Sequence, residues 1–102
     1  MAIAAPTIDS GFVTLTGSLV DIPNTAVQTL YPAGVYVENP TSAPVVFTLK
    51  DSAGNFIVPS QPVPPGGYIG PIELFTMPIA GKPQWSGNGL VAKFWGWLAW
   101  PF

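Results

Sequence analysis

The stretch that decides the reading is Gly89–Phe102, GLVAKFWGWLAWPF. Its one charge is Lys93, and Phe94, Trp95, Trp97, Trp100 and Phe102 crowd its last nine positions. A membrane-spanning helix needs about 20 predominantly apolar residues. This run is shorter, holds Lys93 inside it, and follows Gly87, Asn88 and Gly89. An interfacial helix wants a basic polar face, and one lysine does not make one. Aromatics around a glycine, closed by Pro101, read as a β-strand.

In a strand, side chains alternate between faces. Leu90, Ala92, Phe94, Gly96, Leu98 and Trp100 then share one face, and Val91, Lys93, Trp95, Trp97 and Ala99 the other. Neither face is polar, whereas a strand of a solvated antiparallel sheet is apolar on one face only. One face therefore fills a core. The other needs a cover, from the same domain or from another chain. Lys93 is expected at the rim of that second face.

The rest of the chain sets the context. It has 102 residues, enough for one domain with its own core. Charged residues make up 8% against about 25% in an ordinary soluble domain, and the formal net charge is −2. So little charge protects a free monomer poorly against association. Nucleic acid is not an expected partner: the cations are Lys50, Lys82 and Lys93, with no arginine, and they are scattered. The N-terminal MAIAAPTIDSG has neither a basic start nor an apolar stretch of signal length, so synthesis and folding in a cytosol are expected.

Glycine and proline, 11 and 13 of them, punctuate short runs along the whole chain. The runs are β-branched or aromatic: Phe12–Thr16, Ala26–Tyr31, Gly34–Asn39, Pro44–Lys50, Asn55–Val58, Gly67–Phe75 and the C-terminal run. Short strands with turn signals between them predict an all-β fold. The expected architecture is a single small antiparallel β-sandwich, immunoglobulin-like or jelly-roll-like, over residues 12–102. An extended N-terminal arm over residues 1–11 precedes it. KDSAGN (residues 50–55) carries the Asp, Gly and Asn of a hairpin loop with a positive φ. PVPPGGY (residues 62–68) is a stiff segment that bends at its glycines. Val45, Phe47 and Leu49 point one way and Val46, Thr48 and Lys50 the other; Val35 and Val37 point in, Tyr36 and Glu38 out.

No catalytic constellation emerges. The chain lacks histidine, cysteine and arginine, which removes thiol nucleophiles, the commonest general base and the usual anion clamp. The carboxylates Asp9, Asp21, Glu38, Asp51 and Glu73 lie far apart in sequence, and Asp51 is accounted for by its hairpin. Nitrogen- or sulfur-ligated metal sites are excluded by composition. No enzyme activity, metal or cofactor is expected. The aromatics Trp85, Trp95, Trp97, Trp100, Tyr31, Tyr36 and Tyr68 fit a sugar-stacking platform or a core with a subunit interface. Tryptophan favours the second, being enriched where interfaces are strongest. Sugar platforms also bring polar side chains, and near Trp95–Trp100 the sequence offers only Lys93.

From Gly34 onward the order of features is similar to that of a known group. A strand leads through Asn39 into TSAP, an alternating strand, the DSAGN hairpin, PVPPGGYIGP, and PIAGKPQWSGNGLVAKFWGW. This resembles small β-sandwich structural proteins of tailed bacteriophage virions, of the capsid decoration (cement) or head-fibre type. The resemblance covers about two-thirds of the chain and rests on turn and strand patterns, which immunoglobulin-like surface modules share. It implies a non-enzymatic virion protein that binds the major capsid protein or another virion protein. It also implies a homo-oligomer, a trimer by analogy, made in the host cytoplasm and located in the virion. One departure is that decoration proteins usually have a more charged surface. The candidate interface residues are Trp95, Trp97, Trp100, Phe102 and Tyr36, Trp100 and Phe102 entering as the last aromatics of the run. The other expectation is a tail or fibre module that recognises host surface glycans through exposed aromatics.

Overall fold

The computed structural model describes residues 7–23, 30–74 and 81–98. Among them run the strands β1 (Thr7–Asp9), β2 (Val13–Thr14), β3 (Val20–Asp21), β4 (Leu30–Glu38), β5 (Val45–Lys50), β6 (Phe56–Val63), β7 (Tyr68–Glu73), β8 (Gln84–Ser86) and β9 (Val91–Leu98). The first sheet has the order β1-β9-β4-β7, with β2 also paired to β9. The second has the order β3-β8-β5-β6. Every pairing is antiparallel, and the described residues contain no helix. The protein is an all-β sandwich.

The alternation read from the sequence decides what lies between the sheets. Val35, Val37, Leu90, Ala92 and Phe94 come from the first sheet and its approach; Phe47, Leu49, Val58, Val63 and Trp85 come from the second. Leu15, Ile22 and Leu74, on the connecting segments, close the same cluster. A buried side chain of this size contributes about 1.5–3 kcal/mol over leaving it in water. The side chains of β5 divide as expected, with Phe47 and Leu49 fully buried and Val46 exposed.

Several elements differ from the sequence reading. The arm does not extend to Gly11. Thr7–Asp9 is a sheet strand, with Thr7 opposite Trp97, Ile8 opposite Gly96 and Asp9 opposite Trp95. Ser10 continues the attachment, donating its N–H to the Phe94 carbonyl and accepting the Phe94 N–H on Oγ, both at 2.9 Å. Ile8 is buried in the core. A three-residue run with one large apolar side chain carries no visible period, so the sequence could not mark it. Residues 1–6 lie outside the described residues.

The runs ending at Tyr31 and starting at Gly34 are one strand, β4, despite the Pro-Ala-Gly between them. The register against β9 shifts between Pro32 and Gly34, so Ala33 is the extra residue of a bulge. A bulge is where a sheet tolerates a residue without an N–H. Likewise β6 continues through Pro59 and Pro62 because it is an edge strand. The short strands β3 and β8 had no sequence signal.

The hairpin between β5 and β6 forms as expected. Asp51 accepts the backbone N–H of Asn55 and of Ala53 on Oδ1, at 2.9 and 3.0 Å, and Gly54 has φ of 88°. The Asn55 amide, first, and the Ala53 and Gly54 amides hold the Asp51 carboxyl below the usual carboxylate range.

Asn39 fastens the corner where β4 leaves the first sheet. Its buried side-chain amide donates to the Ala43 and Val63 carbonyls, both at 2.8 Å. Its Oδ1 accepts the Thr41 N–H at 2.9 Å and the Thr41 hydroxyl at 2.6 Å. Its backbone exchanges bonds with Gly66 and Gly67 across the Pro64–Gly67 turn. One side chain thus ties together the 40–44 loop and the end of β6. Asn39→Ala should lower stability by about 2–4 kcal/mol, since it strands a buried carbonyl and removes several bonds. Urea unfolding measures this. A loss below about 1 kcal/mol would mean that the corner holds without it.

Candidate functional site

The outward face of the first sheet is built on β9. Val91, Lys93, Trp95 and Trp97 point away from the core in alternation with buried Leu90, Ala92 and Phe94. Residues opposite one another in an antiparallel pair share a face. The register therefore sets Glu38 of β4 beside Val91, Tyr36 beside Lys93, Gly34 beside Trp95 and Tyr31 beside Trp97. Tyr68 of β7 joins the same row opposite Glu38.

Trp95 lies flat because its partner is a glycine. A Cβ on Gly34 would collide with the Trp95 indole, so the ring rests across the bare β4 backbone. The next aromatics interlock. Phe12 meets Tyr36 edge to face, with centroids 6.2 Å apart, and Tyr36 meets Tyr68 at 5.9 Å. The Tyr36 hydroxyl donates to Glu38 Oε2 at 3.2 Å. Reduced hydration, first, and the Glu38 carboxylate push the Tyr36 hydroxyl above its ordinary pKa.

The charge on this face is local. Lys93 Nζ is 3.3 Å from Asp9 Oδ2 and 5.5 Å from the Phe12 ring centroid. Lys93 lies among Asp9, Phe12 and Tyr36, not at the rim where the sequence reading set it. The Gly11 N–H, which donates to Asp9 Oδ1 at 2.8 Å, and the Lys93 ammonium hold the Asp9 carboxyl below the usual range. Beside this pair an open groove of about 470 Å³ is lined by Ile8, Asp9, Tyr36, Lys93, Trp95, Gly96 and Trp97.

The two outward faces differ. On the second sheet the Thr48 and Ser60 hydroxyls share a hydrogen bond at 3.0 Å, Gln84 Nε2 donates to Asp21 Oδ1 at 3.0 Å, and Lys50 covers Phe56. That face also exposes Val46 (53%) and Phe56 (57%), set apart among these polar groups. The first sheet instead exposes Phe12 (64%), Tyr31 (44%), Tyr68 (65%) and Trp97 (45%).

Of the sequence-derived interface residues, the structure brings Tyr36, Trp95 and Trp97 onto one face. Trp100 and Phe102, the Leu98 side chain and Ala99 lie outside the described residues. Trp85, counted among the platform candidates, is fully buried in the core. Asp9 and Phe12 were missed. Asp9 lay in the supposed arm, and Phe12 read as the first residue of a strand. Only the pairing of β1 and β2 with β9 shows them to be neighbours of Lys93. Among the described residues, no three carboxylates gather into a metal-binding group. Comparison with protein-family models, curated proteins and solved structures finds no match to the chain.

The Asp9 geometry has a pH consequence. A carboxylate whose pKa is depressed on folding stabilises the fold above its unfolded pKa. That contribution is lost as pH falls through the folded value. Asp9 and Asp51 should therefore both weaken the protein on the acid side of the ordinary carboxylate range. Asp9→Asn should flatten part of that acid limb. The change should stay below about 1 kcal/mol, because Asp9 is exposed and Lys93 is about a third exposed. Unfolding midpoints from pH 2 to 7 check it; an unchanged acid limb would remove Asp9 from the account.

Proposed function

We propose that the chain is a non-enzymatic structural module that docks the aromatic face of its first sheet on other protein chains of a large assembly. The observation that carries this reading is the contrast between its two outward faces: one sets Val46 and Phe56 apart among polar side chains, the other gathers Phe12, Tyr31, Tyr36, Tyr68, Trp95 and Trp97. Water-facing sheets rarely gather so many large rings, and interface cores do. The low charge of the whole chain supports it as well. The kind of assembly follows the sequence resemblance. It is a bacteriophage virion, in which the module decorates or stabilises the shell through the major capsid protein or a neighbouring virion protein, and through sister subunits.

Trp97→Ala tests the docking face. Trp97 is nearly half exposed, so the fold should survive with its circular dichroism and melting temperature little changed. Retention on purified particles should fall about thirtyfold or more, the equivalent of about 2 kcal/mol for a truncated interface anchor. Full retention would remove this face from docking.

One observation favours glycan recognition as a second reading. The register sets a carboxylate and an ammonium, Asp9 and Lys93, beside Trp95 and Trp97 in the same groove. Asp9 is a polar partner beyond Lys93, the one that the sequence around Trp95–Trp100 offered. Tryptophan fluorescence titrated with a panel of oligosaccharides should shift saturably, and Trp97→Ala should abolish the shift, if this reading is right. A flat response across the panel would end it.

A further inference from the structure

We infer that the partner seated on the aromatic face is a second copy of this chain, related by a two-fold axis that passes between Asp9 and Lys93, with Phe12 of each copy in the Trp95–Trp97 groove of the other. This rests on the docking reading above and names its partner.

The face carries a matched knob and hollow. The hollow is the 470 Å³ groove beside Trp95 and Trp97. The knob is Phe12, which is 64% exposed yet held in place, its ring against Tyr36 and under Lys93. Asp9 and Lys93, 3.3 Å apart, line the hollow, and Lys93 also reaches over the knob. A two-fold axis through that point, parallel to the sheet, carries the knob of one copy over the hollow of the other. It also sets each Asp9 against the other copy's Lys93. The four charges then alternate in sign around the axis, which is the complementarity an isologous contact requires. A partner of uniform charge would meet one attractive group and one repulsive group.

The sheet edges argue against another route. Strand addition needs free N–H groups along an edge. Edge strand β6 carries Pro59 and Pro62 and edge strand β7 carries Pro71, while β1, β2 and edge strand β3 have three, two and two residues. Association is left to the faces, and on the second sheet the exposed apolar residues Val46 and Phe56 are separated by the Thr48–Ser60 hydroxyl pair rather than gathered in one row. Four strands about 4.8 Å apart and eight residues at about 3.3 Å give a face of roughly 400–500 Å². Two copies then bury about 800–1,000 Å², the size of a weak, concentration-dependent pair. This differs from the three-fold order that the phage resemblance implies, and mass separates the two.

Sedimentation equilibrium of the purified chain over a range of concentrations should show monomer and dimer. Phe12→Ala should weaken pairing at least tenfold without loss of fold, since that ring is mostly exposed. Asp9→Lys and Lys93→Asp should each be monomeric alone, because every cross-axis pair becomes like-charged. Mixed in equal amounts, the two variants should pair again, because each then meets its opposite. A wild-type chain that stays monomeric, a trimer, pairing that ignores Phe12→Ala, or a mixture that fails to recover would each overturn the inference. The docking reading is judged separately. If the chain is monomeric but Trp97→Ala still loses retention on particles, the face docks on a different chain. If Trp97→Ala changes nothing there, the docking reading falls too.

Discussion

Strand β9 has no polar face, and the remainder of the first sheet is arranged to cover it twice. Its inner side, Leu90, Ala92 and Phe94, is buried against the second sheet. Its two edges are closed by β4 on one side and by β1 and β2 on the other. The outer side is covered only in part. Gly34 lets the Trp95 indole lie down on the β4 backbone, and Asp9 and Tyr36 flank Lys93. Trp97 and Phe12 are left standing in solvent. An apolar surface in water costs free energy in proportion to its area, and this half-covered strand is the ground of the proposed docking.

The supports of this face are polar and local. Asn39 holds the corner at one end of β4, and the Ala33 bulge with Pro32 bends the strand at the other. Between those points β4 runs in register with β9, which aligns Tyr36 with Lys93; beyond the bulge Tyr31 stands opposite Trp97. Bulges and buried asparagine corners fix register because a slip of one residue would turn every side chain to the wrong face. The rings on the outside therefore keep their order through groups that do not touch them.

The carboxylates of the described residues follow the same organisation. Asp9 is held by Lys93 and Gly11, Asp21 by Gln84, Glu38 by Tyr36 and Asp51 by its hairpin amides. Each of these carboxylates is engaged locally, in a turn or with one neighbouring side chain. They organise turns and a surface, and the large rings supply the area on which another molecule can sit.

The sequence alone determined the all-β class, the inward set Val35, Val37, Phe47, Leu49, Leu90, Ala92 and Phe94, the DSAGN hairpin, and the presence of Tyr36, Trp95 and Trp97 on outward positions. These are readings of a two-residue period and of turn chemistry, both local along the chain. It did not determine β1, β3 or β8, each too short to show a period, nor that Pro32 and Gly34 belong to one strand. Only the tertiary structure put Asp9 and Phe12 beside Lys93, buried Trp85, and opened a groove beside Trp95 and Trp97. Those outcomes depend on which strands pair and in what register. Such contacts join residues more than eighty positions apart, as Asp9 and Lys93 are, and no local pattern along the chain encodes them.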